Sequence, residues 1–176
     1  NKNEHDLQGI INFQSKLPLQ QKGRTYNSLF TPIFSARYNP YNNKNLKNKD
    51  RMIDFNNIYS INRIGSNETL EGGQSITLGS EFKIDDKVRN INDLLKLNLA
   101  TSFRDSENGR LPKNSTLDKK MSNLIGQIKF KPNNTLNFDY NFLADNNLDQ
   151  INYHKINTTI SVNNFINKFE FLEENN

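Results

Sequence analysis

Apolar and polar residues alternate in several separate stretches between residue 28 and the end of the chain. In the clearest stretch, residues 136–142, Leu, Phe, Tyr and Phe occupy every second position, and Asn, Asp and Asn lie between them. Residues 76–84 repeat the pattern, with Ile, Leu, Phe and Ile on one face and Thr, Gly, Glu and Lys on the other. A period of two is typical of a β-strand whose two faces meet different surroundings.

The pattern predicts about eight strands of roughly ten residues each, close to the ~9–11 residues that cross a bilayer at a tilt. Strands of soluble proteins are shorter, usually about five or six residues. This length favours an all-β fold: an antiparallel up-and-down transmembrane β-barrel, present as a partial barrel. The strands are predicted within residues 28–39, in a segment that runs from Asp54 into a Gly-rich connection, and within residues 76–84, 94–104, 121–131, 136–142, 156–162 and 165–172.

The composition fits a membrane barrel better than a soluble domain. Only 34% of residues are hydrophobic, and the mean hydropathy is −0.83. A soluble domain of this composition would have a thin core, whereas a barrel needs apolar residues only at the alternate positions that face lipid. No stretch approaches the roughly 20 apolar residues of a transmembrane helix, so insertion as helices is excluded. A porin or receptor barrel, and a soluble all-β carbohydrate-binding module, stay open as alternatives.

The chain divides into two predicted parts. Residues 1–27 are predicted as a poorly defined N-terminal strand and connector, and residues 28–176 as the barrel domain. Because the chain begins at Asn1 without a methionine and ends in Glu-Glu-Asn-Asn, we expect a piece of a longer protein. A partial barrel has two unpaired edges, and we therefore expect that the isolated piece does not fold stably.

The lengths of the connections test this prediction, because bacterial barrels alternate short periplasmic turns with longer outer loops. The polar connection at residues 105–120 and the short turn at residues 132–135 follow the rule. Residues 40–53 break it, since a strand that starts at Asp54 puts this long, Asn-rich and Lys-rich connection on the side of the short turns. Either a strand near residue 54 is missing from the predicted set or wrongly added to it, or the loop folds into the lumen.

The charged and nucleophilic residues indicate no enzyme and no cofactor. The 23 Lys and Arg exceed the 19 Asp and Glu, but they are scattered and do not form a nucleic-acid surface. The absence of cysteine excludes disulfides and thiolate metal sites. His5 and His154 lie far apart, so no metal or Ser-His-Asp site is predicted. The spacing of Asp139, Asp145 and Asp149 does not match the 12-residue EF-hand loop.

Arg63 and Glu71 form the polar pair of greatest interest, and two interpretations of it stay open. They form either a lumen-facing ion pair that orders the Gly-rich connection, or two solvated charges at a strand end, which would contribute only ~0–1 kcal/mol. Gly72, Gly73 and Gly79 lie nearby without the Lys-Ser/Thr pair and the helix of a phosphate-binding loop. Close backbone packing or bending of the strand explains these glycines better.

The segment around this pair resembles a motif of a known family. The resemblance is to the NR-x-x-G-x-D-R-x-E-x-G segment in the outer-membrane barrel of the lipopolysaccharide-assembly family LptD. The residues that carry it are Asn62-Arg63, Glu68, Leu70, Glu71-Gly72-Gly73 and the following strand with Gly79. Further features in the order of the family are the Pro-containing strand at Phe30–Tyr38, Asp54–Tyr59, Ser102-Phe103-Arg104, Ser122–Gly126 and Pro132–Leu136. Two departures are Glu68-Thr69 in place of Asp-Arg, and Gly65-Ser66 where Ser-Gly is usual.

The resemblance implies a section of a very large barrel in the outer membrane of a Gram-negative bacterium. In that family a lipoprotein, LptE-like in this case, plugs the barrel, and an LptA-like periplasmic bridge protein delivers lipopolysaccharide to it. The barrel then releases lipopolysaccharide into the outer leaflet. This chain would supply wall rather than the lateral gate, with no cofactor and no enzymatic activity. The residues with an implied structural role are Asn62, Arg63, Glu71, Gly72, Gly73 and Gly79.

Overall fold

Residues 8–175 are described in the computed structural model, and they form one antiparallel sheet of nine strands with one three-residue 3₁₀ helix, Lys113–Ser115. The sheet confirms the predicted all-β class. The strands are β1 (Ile11–Lys16), β2 (Leu19–Lys22), β3 (Tyr26–Asn39), β4 (Gly73–Asp86), β5 (Ile91–Arg104), β6 (Leu124–Phe130), β7 (Leu136–Ala144), β8 (Ile151–Val162) and β9 (Phe165–Glu174).

The sheet has up-and-down topology. From β3 to β9 each strand pairs with the next along the chain, and every pair is antiparallel. β1 and β2 pair one after the other with β3, so together they act as a single strand interrupted at Leu17 and Pro18. The sheet does not close within residues 8–175. The predicted boundary between residues 27 and 28 stays a prediction.

The longest strands are β3, β4 and β5, which have 14 residues each, followed by β8 with 12 and β9 with 10. These lengths reach the roughly 9–11 residues that a tilted strand needs to cross a bilayer. Residues 8–175 contain no helix that is long and apolar enough to span a membrane.

The strand predicted from Asp54 is wrong. Residues 40–72 form one long connection between β3 and β4, with turns across residues 55–64. Asp54 starts the first turn, because its Oδ1 accepts hydrogen bonds from the backbone N–H groups of Asn56 at 2.8 Å and Asn57 at 2.9 Å. Side chains of Asp and Asn that bond their neighbouring backbone favour turns over strands.

Because no strand starts at Asp54, the connections alternate in length as bacterial barrels require. The long connections, residues 40–72 and 105–123, now lie at one end of the sheet together with residues 145–150. The short turns, residues 87–90, 131–135 and 163–164, all lie at the other end. The chain therefore follows the alternation of bacterial outer-membrane barrels, in which the long loops are on the outer side.

One face of the sheet carries exposed apolar side chains, and we call it the outward face. Phe34 and Leu78 lie side by side on it in neighbouring strands. On β7 the ring of Phe142 lies over Gly126 of β6, where a side chain on Gly126 would collide with it. Other members of the exposed face are Phe30, Tyr38, Ile76, Phe103, Phe130, Ile160, Phe169 and Phe171.

The opposite, inner face is polar where it is open. A row of amides crosses it, in which Asn98 donates to Gln127 at 3.0 Å and Gln127 donates to Asn141 at 2.9 Å. These residues belong to β5, β6 and β7 and face the same way because they are paired in register. The outward face is thus apolar and the inner face polar, as a barrel wall requires.

The two long loops, residues 40–72 and 105–123, pack together on the inner face near the long-loop end, and we call them the loop cap. Backbone bonds join them, from Leu46 N–H to the Arg110 carbonyl at 2.7 Å and from Lys113 N–H to the Lys47 carbonyl at 3.4 Å. A small hydrophobic core seals the cap to the sheet: Ile33, Ala100, Ile125 and Leu143 from the strands, Ile53, Phe55, Ile58 and Ile64 from the first loop, and Leu111 and Leu117 from the second.

Candidate functional site

Glu71 is the centre of a buried ionic cluster at the base of the loop cap. It lies two residues before β4, and its side chain is only 2% exposed. Arg63 binds both carboxylate oxygens, with Nε 2.6 Å from Oε2 and Nη2 2.7 Å from Oε1. Such a bidentate pairing of guanidinium and carboxylate is among the stronger hydrogen-bonded contacts in proteins.

Two further guanidinium groups approach the same carboxylate from the sheet. Arg104, at the end of β5, donates from Nη1 to Oε1 of Glu71 and from Nη2 to the carbonyl of Gly72. Arg37, on β3, places Nη1 3.6 Å from Oε2 of Glu71. Arg37, Arg63, Arg104 and Glu71 together form what we call the arginine cluster.

Register explains why the strand arginines converge. Arg37 pairs with Ser75 in the β3–β4 ladder, and Ser75 pairs with Arg104 in the β4–β5 ladder. The three side chains therefore lie in one row on the inner face. Because the residue between the two arginines is a small serine, space remains above it for the guanidinium of Arg63, whose Nη2 donates to Ser75 Oγ at 2.9 Å.

Hydroxyl groups on the inner face complete the shell around Arg63. Its Nη1 donates to Thr77 Oγ1 at 3.1 Å and to Ser102 Oγ at 3.2 Å. Thr77 and Ser102 are themselves cross-strand partners on β4 and β5. Arg63 is fully buried, and it is held on one side by a carboxylate and on the other by neutral hydroxyls.

The cluster also fixes the backbone of the first long loop. Arg37 donates to the carbonyls of Ser60 at 2.7 Å and Ile61 at 3.0 Å. Asn39 donates to the carbonyl of Glu71 at 3.0 Å. Both the middle of the loop and its last residues are thereby bonded to β3, so the sheet and the loop cap share one polar core.

The charges in the cluster do not balance, since three guanidinium groups surround one carboxylate. Burial alone raises the pKa of Glu71, but the charge of Arg63, its hydrogen bonds and the charges of Arg104 and Arg37 outweigh burial and lower that pKa to about 2. Glu71 is therefore ionised across the physiological pH range. Removing it would leave buried positive charges without a counter-charge, a change that destabilises proteins strongly.

The predicted glycines lie where a side chain has no room or where the backbone needs glycine. Gly73 has φ of +86°, a backbone conformation that residues with a Cβ rarely adopt. A Cβ on Gly72 would lie 3.0 Å from the Asn43 backbone nitrogen and collide with the Tyr41 carbonyl. A Cβ on Gly79 would collide with the hydroxyl of Tyr59, which reaches down from the loop cap.

Asn62 holds the turn that presents Arg63. Its Oδ1 accepts from the N–H of Ser66 at 3.1 Å, and its Nδ2 donates to the Ser66 carbonyl at 2.8 Å. Gly65, inside this turn, has φ of +61°. The side chain of Asn62 thus closes the loop of backbone that directs Arg63 toward Glu71.

Sequence reasoning missed Arg37 and Arg104 as members of the site. The available signal was their position, because each lies on the polar face of a strand at the end next to a long loop. Without the register between β3, β4 and β5, nothing in the sequence brings residues so far apart toward one carboxylate.

The other residues considered in the sequence lie apart from the cluster. His154 lies on β8, with Nδ1 2.7 Å from the hydroxyl of Tyr140. Asp139 pairs with Lys129 at 3.5 Å, and Asp145 accepts backbone bonds from Asp149 and from Gln150 within their turn. Among residues 8–175, no group of three His, Cys, Asp or Glu residues is arranged to hold a metal ion. His5 lies outside the described residues.

Long up-and-down strands, an apolar outward face, a polar inner face and loops folded onto that inner face define the class: a membrane β-barrel protein, seen as an open section. The family model for LPS transport system D, LptD, matches residues 1–175. The chain belongs to the LptD family, a family of outer-membrane proteins of lipopolysaccharide transport and assembly. A search of curated proteins found no match.

Proposed function

We propose that this chain forms wall of an outer-membrane barrel that transports lipopolysaccharide and inserts it into the outer leaflet, without catalysing a reaction. The observation that carries the proposal is the family match over residues 1–175, together with the division of the sheet into an apolar and a polar face. The membrane would be the outer membrane of a Gram-negative bacterium. The polar inner face suits the passage of a hydrophilic saccharide better than a dry core would.

The proposed partners follow from the family. They are lipopolysaccharide itself, a plug lipoprotein similar to LptE and a periplasmic bridge protein similar to LptA. No residue of this chain is assigned to a contact with either protein. The proposed energy source for transport lies outside the barrel.

Within this function, the arginine cluster has the role of holding the loop cap against the wall. Its contacts support the role, because they bond Ser60, Ile61, Glu71 and Gly72 of the first loop to β3 and β5. Apolar packing under Ile53 and Ile58 supports the cap from the same side. A cap held in this way narrows the outer end of the lumen beside the strands that carry it.

Depletion of the full-length protein tests transport. We expect newly made lipopolysaccharide to stop reaching the cell surface, measured by its modification with a surface-restricted lipid A enzyme, and to resume when the protein is restored. Normal surface delivery after depletion would contradict the proposed function.

A second experiment tests the role of the cluster. Full-length protein with Glu71→Gln is compared with a matched variant, Glu68→Gln, whose carboxylate lies three residues earlier in the same loop and is 76% exposed. We expect only Glu71→Gln to admit large antibiotics that the outer membrane normally excludes. Equal antibiotic entry in both strains, at equal protein levels, would show that the cluster does not hold the cap.

A further inference from the structure

A groove on the outward face lies directly behind the arginine cluster. It has a volume of about 630 Å³ and is open along one side. Its floor is a row of cross-strand partners, in which Phe13 pairs with Ala36, Ala36 with Ile76, and Ile76 with Phe103. The groove exists because Ala36 is small while the aromatic residues at both ends of the row are large.

The two ends of the groove differ in polarity. Toward the long loops it is bordered by Tyr38 and by Gln74, which donates to Asp105 at 3.1 Å. Toward the middle of the sheet it continues into the exposed apolar surface, where the ring of Phe34 lies 6.3 Å from that of Phe13. An occupant of this groove therefore meets polar groups at one end only.

The level of the groove in the membrane follows from the loop lengths. Tyr38, Gln74 and Phe103 lie within two residues of the strand ends that lead into residues 40–72 and 105–123. Long loops are on the outer side of bacterial barrels, so these strand ends lie at the level of the outer leaflet. The floor of the groove lies just below the headgroup region.

We propose that the groove binds one acyl chain of an outer-leaflet lipid. This inference rests on the proposed placement of the chain in the outer membrane, because the groove is continuous with the face that would contact hydrocarbon. Its volume lies in the range of small-molecule sites. An acyl chain fits an apolar channel with one polar mouth, since its headgroup remains beside Gln74 and Asp105 while the chain runs along Ala36 toward Phe34.

The absence of tryptophan from the chain provides a direct test. Full-length protein with Phe103→Trp carries a reporter at one end of the groove floor, and Leu97→Trp carries a control reporter on the outward face of the same strand. Both are reconstituted into phosphatidylcholine vesicles that contain a rising fraction of lipid with brominated acyl chains, which quench indole fluorescence. Fluorescence of the parent protein is subtracted from each measurement.

We expect half-maximal quenching of Phe103→Trp at a mole fraction about threefold lower than for Leu97→Trp, corresponding to a preference of about 0.7 kcal/mol. Adding Ala36→Leu fills the floor and should bring the two curves together, whereas adding Ser80→Leu, a matched change on the outward face of β4, should leave them apart. Coincident curves without Ala36→Leu would overturn the acyl-chain site. If neither reporter is quenched, the proposed membrane placement fails, and this inference fails with it.

A measurement without a reporter complements the quenching. Native mass spectrometry of the detergent-purified full-length protein should show one bound lipid that is lost in Ala36→Leu and retained in Ser80→Leu. Equal lipid occupancy in the two variants would overturn the proposal even if a tryptophan variant failed to fold.

Discussion

Arg37 and Arg104 lie on strands that do not touch each other, yet both reach the carboxylate of Glu71 because Ser75 lies between them in the sheet. The guanidinium groups of Arg37 and Arg104, on either side of Ser75, repel each other unless an anion lies between them. The loop that precedes β4 supplies the missing anion. Folding of this loop is thus coupled to the pairing of three strands.

Replacement of Glu71 tests the strength of this coupling. We expect Glu71→Gln to lower the free energy of unfolding by about 3–5 kcal/mol, because buried guanidinium groups lose their counter-charge. Unfolding of the full-length protein by urea in detergent micelles measures the change. Glu68→Gln, at an exposed position with Lys44 3.7 Å away, should change the free energy by no more than about 0.5 kcal/mol. Similar losses in both variants would contradict the central role of Glu71.

The pH dependence of the free energy of unfolding should reflect the ionisation of the Glu71 carboxylate. Its pKa is lowered in the folded protein from 4.5 to about 2, so its contribution is fully present above pH 4.5 and is lost as the pH falls toward 2. The difference in unfolding free energy between the parent protein and Glu71→Gln should therefore shrink by about 3 kcal/mol across this window. A difference that stays constant from pH 6 to about pH 2 would show that Glu71 is not selectively stabilised as an anion.

A methyl group at Gly79 should disturb the contact between wall and cap. A Cβ there would collide with the Tyr59 hydroxyl and lie 2.7 Å from the carbonyl of Leu99. We expect Gly79→Ala to destabilise the folded protein by about 1–3 kcal/mol. Gly109→Ala is the matched control, because a Cβ at Gly109 has no atom within 4 Å. Combining Gly79→Ala with Tyr59→Leu should restore part of the lost stability. If it restores none, the destabilisation comes wholly from the contact with the backbone of β5.

A charge on the outward face tests whether that face meets hydrocarbon. Leu78 is exposed near the middle of the sheet, and Leu78→Arg should destabilise the protein in lipid bilayers by about 2–4 kcal/mol. Val88→Arg is the control, since Val88 is 75% exposed in the turn at residues 87–90. Folding titrations in phospholipid vesicles compare the two. A neutral effect of Leu78→Arg would remove this face from the bilayer.

Much of the sheet could be predicted from the sequence because a two-residue period has a single simple cause. Once one face of a strand is apolar and the other polar, as at residues 76–84 or 136–142, each side chain has a definite side. The prediction of a strand at Asp54 is wrong because Ile53, Phe55 and Ile58 are apolar for a different reason. They point into the core of the loop cap, and their spacing follows turns rather than a pleat.

The ionic site could be predicted only in part. Arg63 and Glu71 are only eight residues apart and belong to one local sequence motif, so the sequence identifies them as a candidate pair. Arg37 and Arg104 contribute through strand register, which depends on hydrogen bonds across the whole sheet. A polar residue on a strand face does not by itself identify the loop that will cover it.

The first long loop and the strands beneath it are expected to change together in evolution. A related protein that lost residues 40–72 would keep two guanidinium groups without a counter-charge, at positions 37 and 104, facing the lumen on either side of one serine. Such a barrel would draw anions to its outer mouth unless both positions became neutral together. Shortening the loop therefore requires compensating substitutions. Relatives with a short connection at this place should carry uncharged residues at both positions.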